Sequence, residues 1–325
     1  MTSPAPAVLV TGASGYVGKL CVKALAARKD NVANIVALDI SPVAPAEQLP
    51  GVNYLQVDIC DPSLASLLRN HNIDTVIHLA SILRTPKGAP RDLAYRIDVL
   101  GTKNVLEACK SAAARKIIVT SSGAAYGYHP DNPAWLDEDH ALRGNEEFEY
   151  ARNKRLVEQM LADWRQSFPQ LKQTIFRPGT IVGENVHSPV TDLFEQPFML
   201  GIAGSNSPFV FIWDEDLVAC ILEAVFNDKP GIFNQAGDGA VTPKEIAHLI
   251  SKPYLAIPAP VLRVTLALLK ALGMSENGPE RVNFLRYRPV LSNRRLKEKF
   301  GYTPTHTSLE AFRHYARARG LLGKA

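Results

Sequence analysis

Residues 8–20 read VLVTGASGYVGKL, so Gly12, Gly15 and Gly18 stand between an apolar run and the start of a helical pattern. No other stretch constrains the chain as tightly, because it demands a strand, an abrupt turn and a helix folded back on the strand. Gly12 permits a turn that other residues resist, Gly15 lets a ligand approach the backbone without a Cβ in the way, and Gly18 lets the helix sit close. The helix would open at Tyr16 and Val17, where its amides and the positive end of its dipole attract a diphosphate. Asp39 closes the next strand pattern about 20 residues on, where a carboxylate accepts hydrogen bonds from a ribose. Its charge opposes a 2′-phosphate, and DISPV offers no arginine to bind one. NAD is the cofactor expected from this pattern.

The same strand-and-helix rhythm runs through the first half. AVLVTG, NIVALDI, YLQVDI, TVIHLA and KIIVTSS are short runs rich in Val and Ile, apolar on both faces, with LKQTIFRPG as a sixth. Such runs suit a parallel sheet covered by helices. Amphipathic stretches at 16–28, 62–70, 93–113 and 148–168 supply the crossovers. The expected class is α/β, a doubly wound parallel sheet (Rossmann fold) with a smaller C-terminal substrate-binding lobe. We place the NAD-binding domain at 1–180, its sheet completed by parts of 208–240, and the lobe mainly at 181–325. Within the lobe, Thr242-Pro243 opens a helix, and PAPVLRVTLALLKALG forms a very apolar one whose Leu and Val stripe suits core, a dimer face or a greasy pocket wall.

Other properties bound the function. The 325 residues are 46% hydrophobic and 21% charged, which excludes disorder and allows a substantial core. Cys21, Cys60, Cys109 and Cys220 are scattered with no C-x-x-C pair, so neither a disulfide framework nor a zinc ribbon is expected, and no cluster has metal-ligand spacing. No window approaches the length of a membrane span and the N-terminus lacks a signal-like pattern, so a cytoplasmic location is expected. From Arg281 onward the basic residues, Lys324 included, far outnumber Glu298 and Glu310. Without interleaved aromatics this tail reads as a solvated surface, with no nucleic-acid partner.

TGASGYVG has the T-G-x-x-G-x-x-G spacing of the short-chain dehydrogenase/reductase superfamily. TSSGAAYG, Y150-A-R-N-K154, VDICD, HLAS, VLGTKNVLEA, FRPGTIVG, FIWDEDLVA and FNQAGDG together resemble its extended branch, the NAD-dependent epimerase/dehydratase family. The likeness covers nearly the whole chain and weakens beyond Ile250. Lys154 stands one helical turn beyond Tyr150, where its ammonium favours phenolate and fits Tyr150 for acid–base work. The resemblance implies that Lys154 bonds the nicotinamide ribose and that a serine after the fifth strand bonds the substrate oxygen, with Ser122 preferred over Ser121. It further implies that Asp58 and Ile59 approach the adenine, that Leu79, Ala80 and Ser81 line the cofactor channel, and that backbone beyond Pro178 meets the nicotinamide amide. A homodimer through the helices after the fourth and fifth strands is also implied.

Two departures bear on the reaction. Asp98 stands where many relatives carry Asn, and Gly123, Ala124 and Ala125 lack the acidic residue that dehydratases place after the serine, which disfavours dehydration. The lobe segment PFMLGIAGSNSPFVFIW offers Phe194, Phe198, Met199, Phe209, Phe211 and Trp213 among few charges, which suggests an apolar pocket. The leading expectation is therefore an NAD-dependent oxidoreductase interconverting a secondary alcohol and a ketone on a hydrophobic or aromatic small molecule. A nucleotide-sugar epimerase is the first alternative and a non-enzymatic dinucleotide sensor the second.

Overall fold

The computed structural model describes residues 5–86, 88–274, 278–279 and 281–322, so Lys324 of the basic tail lies outside the described residues. The chain forms two compact units that are interleaved in sequence. The first comprises Met1–Ser121, Asn153–Arg177 and Glu215–Phe233; the second comprises Ser122–Arg152, Pro178–Asp214 and Asn234–Ala325.

The first unit is built on β1 (Ala7–Thr11), α1 (Tyr16–Ala26), β2 (Asn34–Asp39), β3 (Asn53–Gln56), α2 (Leu64–Asn70) and β4 (Thr75–His78). It continues through α3 (Leu93–Tyr95), a wider-wound π turn at Arg96–Gly101, α4 (Thr102–Ser111), β5 (Lys116–Thr120), α5 (Glu149–Ser167) and β6 (Lys172–Pro178). All six strand runs and all four crossovers read from the sequence are present. In the sheet, β3, β2, β1, β4, β5 and β6 lie side by side in that order, and the five pairings among them are parallel. This is the doubly wound order, with the direction of winding reversing between β1 and β4. A seventh strand at 231–235 extends the sheet beyond β6. The core on one side joins Leu9, Val36, Leu38, Val76, Ile117 and Ile175 to side chains of α2, α4 and α5.

A buried ion pair fastens α5 to the sheet. Arg177 Nη2 lies 2.6 Å from Glu158 Oε2, and Ser121 Oγ donates to Glu158 Oε1 at 2.6 Å, all three side chains buried. Nearby, His78 is hydrogen-bonded through Nδ1 to Thr11 Oγ1 at 2.8 Å and through Nε2 to Thr102 Oγ1 at 2.9 Å, so it serves the fold. Burial, with a smaller contribution from the Lys154 ammonium, pushes its pKa down from 6.5 to about 3.

The second unit contains β7 (Thr180–Val182), α6 (Asp192–Glu195), β8 (Met199–Ile202), β9 (Phe211–Trp213) and, after α7 (Asp214–Phe226) and β10 (Gly231–Gln235), α8 (Pro243–Leu249) and β11 (Tyr254–Ile257). α9 (Ala259–Ala271), α10 (Arg281–Arg286) and α11 (Ser308–Ala318) complete it. β7 pairs with β9 and β8 with β11, each in parallel. α8 opens at Thr242-Pro243, and a capping box closes its start: Glu245 N donates to Thr242 Oγ1 at 3.2 Å, and Thr242 N donates to Glu245 Oε2 at 2.7 Å.

Of the aromatic residues that suggested an apolar substrate pocket, Phe198 is exposed, whereas Phe194, Phe209 and Phe211 are packed on one another. Phe194 meets Phe209, Phe211 and Phe312 with ring centroids 5.1–6.0 Å apart, and all four are buried. Met199 and Trp213 are buried too. These side chains are the core of the unit, because β9 and α11 must cover each other's apolar faces. The basic tail is likewise not a bare solvated surface. Arg288 is buried, Arg295 pairs with Asp139, Lys297 Nζ lies 2.8 Å from Asp238 Oδ1, and Arg319 Nη2 lies 2.6 Å from Glu195 Oε1. Sequence reading missed this because the carboxylates sit far upstream.

Two outcomes follow for stability. Glu158→Ala leaves the Arg177 guanidinium buried without its partner, and chemical denaturation should report a loss of about 3–5 kcal/mol. His78 is neutral when folded and takes up a proton in the unfolded chain. Its contribution is thus whole above pH 6.5 and is lost as pH falls toward its folded pKa, by about 1.4 kcal/mol per pH unit. Unfolding curves of His78→Asn should show a shallower decline in stability below pH 6.5 than the wild type; an unchanged slope would contradict the burial of a neutral ring.

Candidate functional site

The glycine turn follows β1 at the point where the winding reverses, the place at which such sheets receive ligands. Gly12 adopts φ +71°, and a Cβ there would come within 2.6 Å of Ala80 N. A Cβ on Gly18 would lie 2.1 Å from Gly12 O, so α1 can pack against the turn only with glycine there, while glycine at 12 lets the turn meet Leu79 and Ala80. This close approach brings two predicted cofactor segments together. Leu79 N donates to Thr11 O at 3.2 Å, Ala80 N reaches Thr11 Oγ1 at 3.4 Å, and the exposed Ser81 follows. Asp98, buried in the π turn, accepts from Ile82 N at 3.0 Å and so fixes the far end of that segment.

Gly15 stands at the N-cap of α1, with no side-chain cap, and Tyr16 and Val17 form the half-buried first turn. A helix start left uncapped in this way suits an anionic group. Asp39 ties the turn to β2: its Oδ2 accepts from Ser14 N and its Oδ1 from Ser41 N, each at 2.9 Å. Beside it a cleft is lined by Ala13, Ser14, Asp39, Ser41, Val43 and Tyr54. A carboxylate has about four acceptor positions, so each oxygen keeps a lone pair for ribose hydroxyls. Asp58 Oδ1 accepts from Cys60 N at 2.8 Å, which shapes the turn after β3. Ile59 is buried in the core beneath, where a Cβ on Gly101 would meet its Cδ1 at 2.4 Å. The glycine cradle and the acidic cleft therefore suit a dinucleotide.

Tyr150 and Lys154 both lie on α5, one turn apart. Lys154 is buried, and its Nζ donates to Thr120 O at the end of β5 at 3.4 Å. Ser122, half-buried, begins a tight turn at Gly123–Tyr126, and its Oγ accepts from Ala124 N at 3.1 Å. Ser121 is committed to Glu158, which leaves Ser122 as the serine available to a ligand. Pro178 ends β6; the next amides, of Gly179 and Thr180, donate to Gln235 O and Val210 O, each at 2.9 Å.

In the second unit, Tyr150 belongs to an apolar and aromatic cluster that sequence reading did not anticipate. Tyr128 lies 5.6 Å from Phe148 and 5.2 Å from Phe284, and Phe148 lies 6.3 Å from Tyr150, centroid to centroid. Two cations join this cluster. Arg281 stands 5.2 Å above the Phe148 ring, and Arg288 stands 3.8 Å above Phe209 and 5.5 Å above Phe284. Arg288 Nη1 donates to Ser207 O at 2.8 Å, whereas its buried Nε and Nη2 have no acceptor among the described residues. Burial pushes its pKa down to about 9, which keeps the guanidinium charged at neutral pH. The spacing from Tyr150 to Arg288 crosses most of the lobe, so no local motif could have linked them.

A doubly wound sheet with this glycine turn, an acidic residue ending β2, and a tyrosine and lysine one turn apart defines an NAD-dependent enzyme of the extended short-chain type. The family model for the NAD dependent epimerase/dehydratase family matches residues 8–199, and the chain belongs to that family. NAD is its cofactor. An uncharacterized protein of Mycobacterium tuberculosis is 24% identical over 319 residues, covering 97% of this chain and 84% of the relative. An N-acetyl-α-D-glucosaminyl-diphospho-ditrans,octacis-undecaprenol 4-epimerase of Escherichia coli O157:H7 is 33% identical over 205 residues, 61% of this chain and 57% of the relative. Among solved structures, the UDP-glucose 4-epimerase of Thermus thermophilus in complex with NAD has a TM-score of 0.72 and 22% identity, covering 97% of this chain and 99% of that one. Its likeness is one of fold.

Asp39 supplies the test of cofactor choice. Asp39→Ala should weaken NADH binding and narrow the preference over NADPH by about tenfold, ~1.4 kcal/mol, in fluorescence titrations of both cofactors. An unchanged ratio of the two dissociation constants would remove Asp39 from the cofactor site.

Proposed function

We propose that this protein is an NAD-dependent epimerase of a sugar carried on a diphosphate, which inverts one carbon through a transient ketone. The observation that carries this reading is Arg288, a buried guanidinium whose Nε and Nη2 have no acceptor among the described residues. Buried charge without a partner is costly, and a diphosphate oxygen is the acceptor that would complete it. An alcohol or ketone with no anionic group leaves it unmatched. The reading also agrees with relatives named as 4-epimerases, and the loss of the lobe's phenylalanines to core packing removes the main argument for a purely hydrophobic substrate.

NAD, when bound, supplies a carbon that accepts a hydride and gives it back. In the proposed cycle Tyr150 takes the hydroxyl proton of the reacting carbon as that carbon loses its hydride, and Ser122 donates a hydrogen bond to the same oxygen. Lys154, one turn further along α5, holds its ammonium against Thr120 O. The ketone then presents its other face, the hydride is restored, and Tyr150 returns the proton. Proton and hydride are both recovered, so the cycle consumes nothing. Arg288 and Arg281 hold the diphosphate while the sugar turns.

The alcohol–ketone oxidoreductase remains a second reading, favoured by the aromatic cluster of Tyr128, Phe148 and Phe284 beside Tyr150. Incubation with UDP-linked hexoses should give the epimer by NMR with no net change in NADH absorbance. Net NADH formation on an alcohol, without epimer, would favour the second reading; NADH binding without turnover of either would favour a sensor. Tyr150→Phe should lower turnover by about 10²–10⁴-fold with little change in NADH affinity. Arg288→Met should lower kcat/KM for the diphospho-sugar by about 10–100-fold, the loss of charge-assisted hydrogen bonds.

A further inference from the structure

Tyr128 carries a hydroxyl that the fold does not use. The residue is only 7% exposed. Its main-chain N–H donates to Asn145 Oδ1 at 2.7 Å, whereas its hydroxyl has no hydrogen-bond partner among the described residues. Tyr126, two residues earlier and also buried, shows the ordinary arrangement: its hydroxyl lies 2.9 Å from both Asp137 O and Asn234 Oδ1. A tyrosine so enclosed usually finds a partner, and one without it points to a group that the bound state supplies.

The surroundings say what that group is. The Tyr128 ring is held between Phe148 and Phe284, at 5.6 and 5.2 Å. Phe148 also meets the Tyr150 ring and lies under Arg281, and Phe284 lies under Arg288. Tyr128 thus shares its two neighbours with the proposed acid–base group and with both cations. Burial, with a smaller contribution from Tyr150, holds its phenol well above the ordinary range against the opposing pull of Arg288 and Arg281. At neutral pH it remains an O–H donor.

A ligand group beside it must therefore bring an accepting oxygen together with apolar atoms for the rings. A sugar hydroxyl brings a hydrogen of its own, and one contact between two hydroxyls satisfies only one of the two hydrogens; aromatic carbon offers the other nothing. A carboxylate would have to shed its water among aromatic rings, with both guanidinium groups already engaged by the diphosphate. The carbonyl oxygen of an acylamino group accepts without donating, and the methyl beside it is apolar.

We propose that Tyr128 binds an acylamino substituent of the sugar, its O–H donating to the acyl carbonyl while Phe148 and Phe284 cover the methyl. This rests on the epimerase reading, in which Arg288 and Arg281 hold the diphosphate, and it adds the class of sugar that the site takes.

Turnover of UDP-N-acetylglucosamine, UDP-glucose and UDP-glucuronate by the holoenzyme, followed by NMR, tests it. The wild type should epimerise the first with kcat/KM about tenfold or more above the other two, because only its carbonyl pairs the Tyr128 hydroxyl fully. Tyr128→Phe should bring that ratio to near one, with the loss appearing in KM for the acetamido sugar rather than in kcat. Its melting temperature and NADH affinity check that the variant is folded. A second measurement needs no variant: saturating the aromatic protons of the wild type should attenuate the acetyl methyl signal of UDP-N-acetylglucosamine more than the ring protons of the sugar. Equal or better turnover of UDP-glucose or UDP-glucuronate, a ratio that survives in folded Tyr128→Phe, or a methyl that escapes saturation would each overturn the role of Tyr128 and leave the epimerase standing. Failure of all three sugars to epimerise would remove the epimerase reading, and this assignment with it.

Discussion

The close approach of α1 to the turn after β1 is the constraint on which the rest depends. With a Cβ on Gly18 only 2.1 Å from Gly12 O, any side chain there pushes the helix off the strand. The same turn rests on Leu79 and Ala80, so the ends of β1 and β4 are positioned by one contact. Asp39 adds a third strand by accepting the Ser14 amide. The cradle is therefore made of backbone held by backbone, and its geometry follows from the absence of side chains at two positions.

Much of this was legible in the sequence because it is local or periodic. The glycine spacing, the apolar strand runs and the four-residue interval from Tyr150 to Lys154 are all written within single elements. The helix start at Thr242-Pro243 is equally local. What escaped were relations between distant residues. Phe194, Phe209 and Phe211 looked like pocket residues because composition cannot say whether aromatic side chains face a ligand or one another; their partner, Phe312, lies about a hundred residues on. Arg288 was hidden among tail cations for the same reason, since its burial is set by Phe209, Ser207 and Phe284.

These two misreadings had one consequence. Treating the phenylalanines as a pocket and Arg288 as solvated made the lobe appear apolar and uncharged, and favoured a hydrophobic alcohol over a sugar diphosphate. With the aromatic residues in the core and a guanidinium buried beside the Tyr150 cluster, the balance reverses. Ser121 and Ser122 show the same principle on a smaller scale. Adjacent in sequence and equivalent by composition, they differ because Glu158 occupies one and a tight turn presents the other.

The central claim is that one carbon of a diphospho-sugar gives up its hydride and receives the same one back while Tyr150 carries the proton. The most direct measurement is turnover of a UDP-hexose deuterated at the carbon that inverts, in ordinary water, with the product read by mass spectrometry and NMR. The account predicts an inverted product that keeps its deuterium on the same carbon. Loss of the label to solvent, or accumulation of ketone with deuterated NADH, would contradict it.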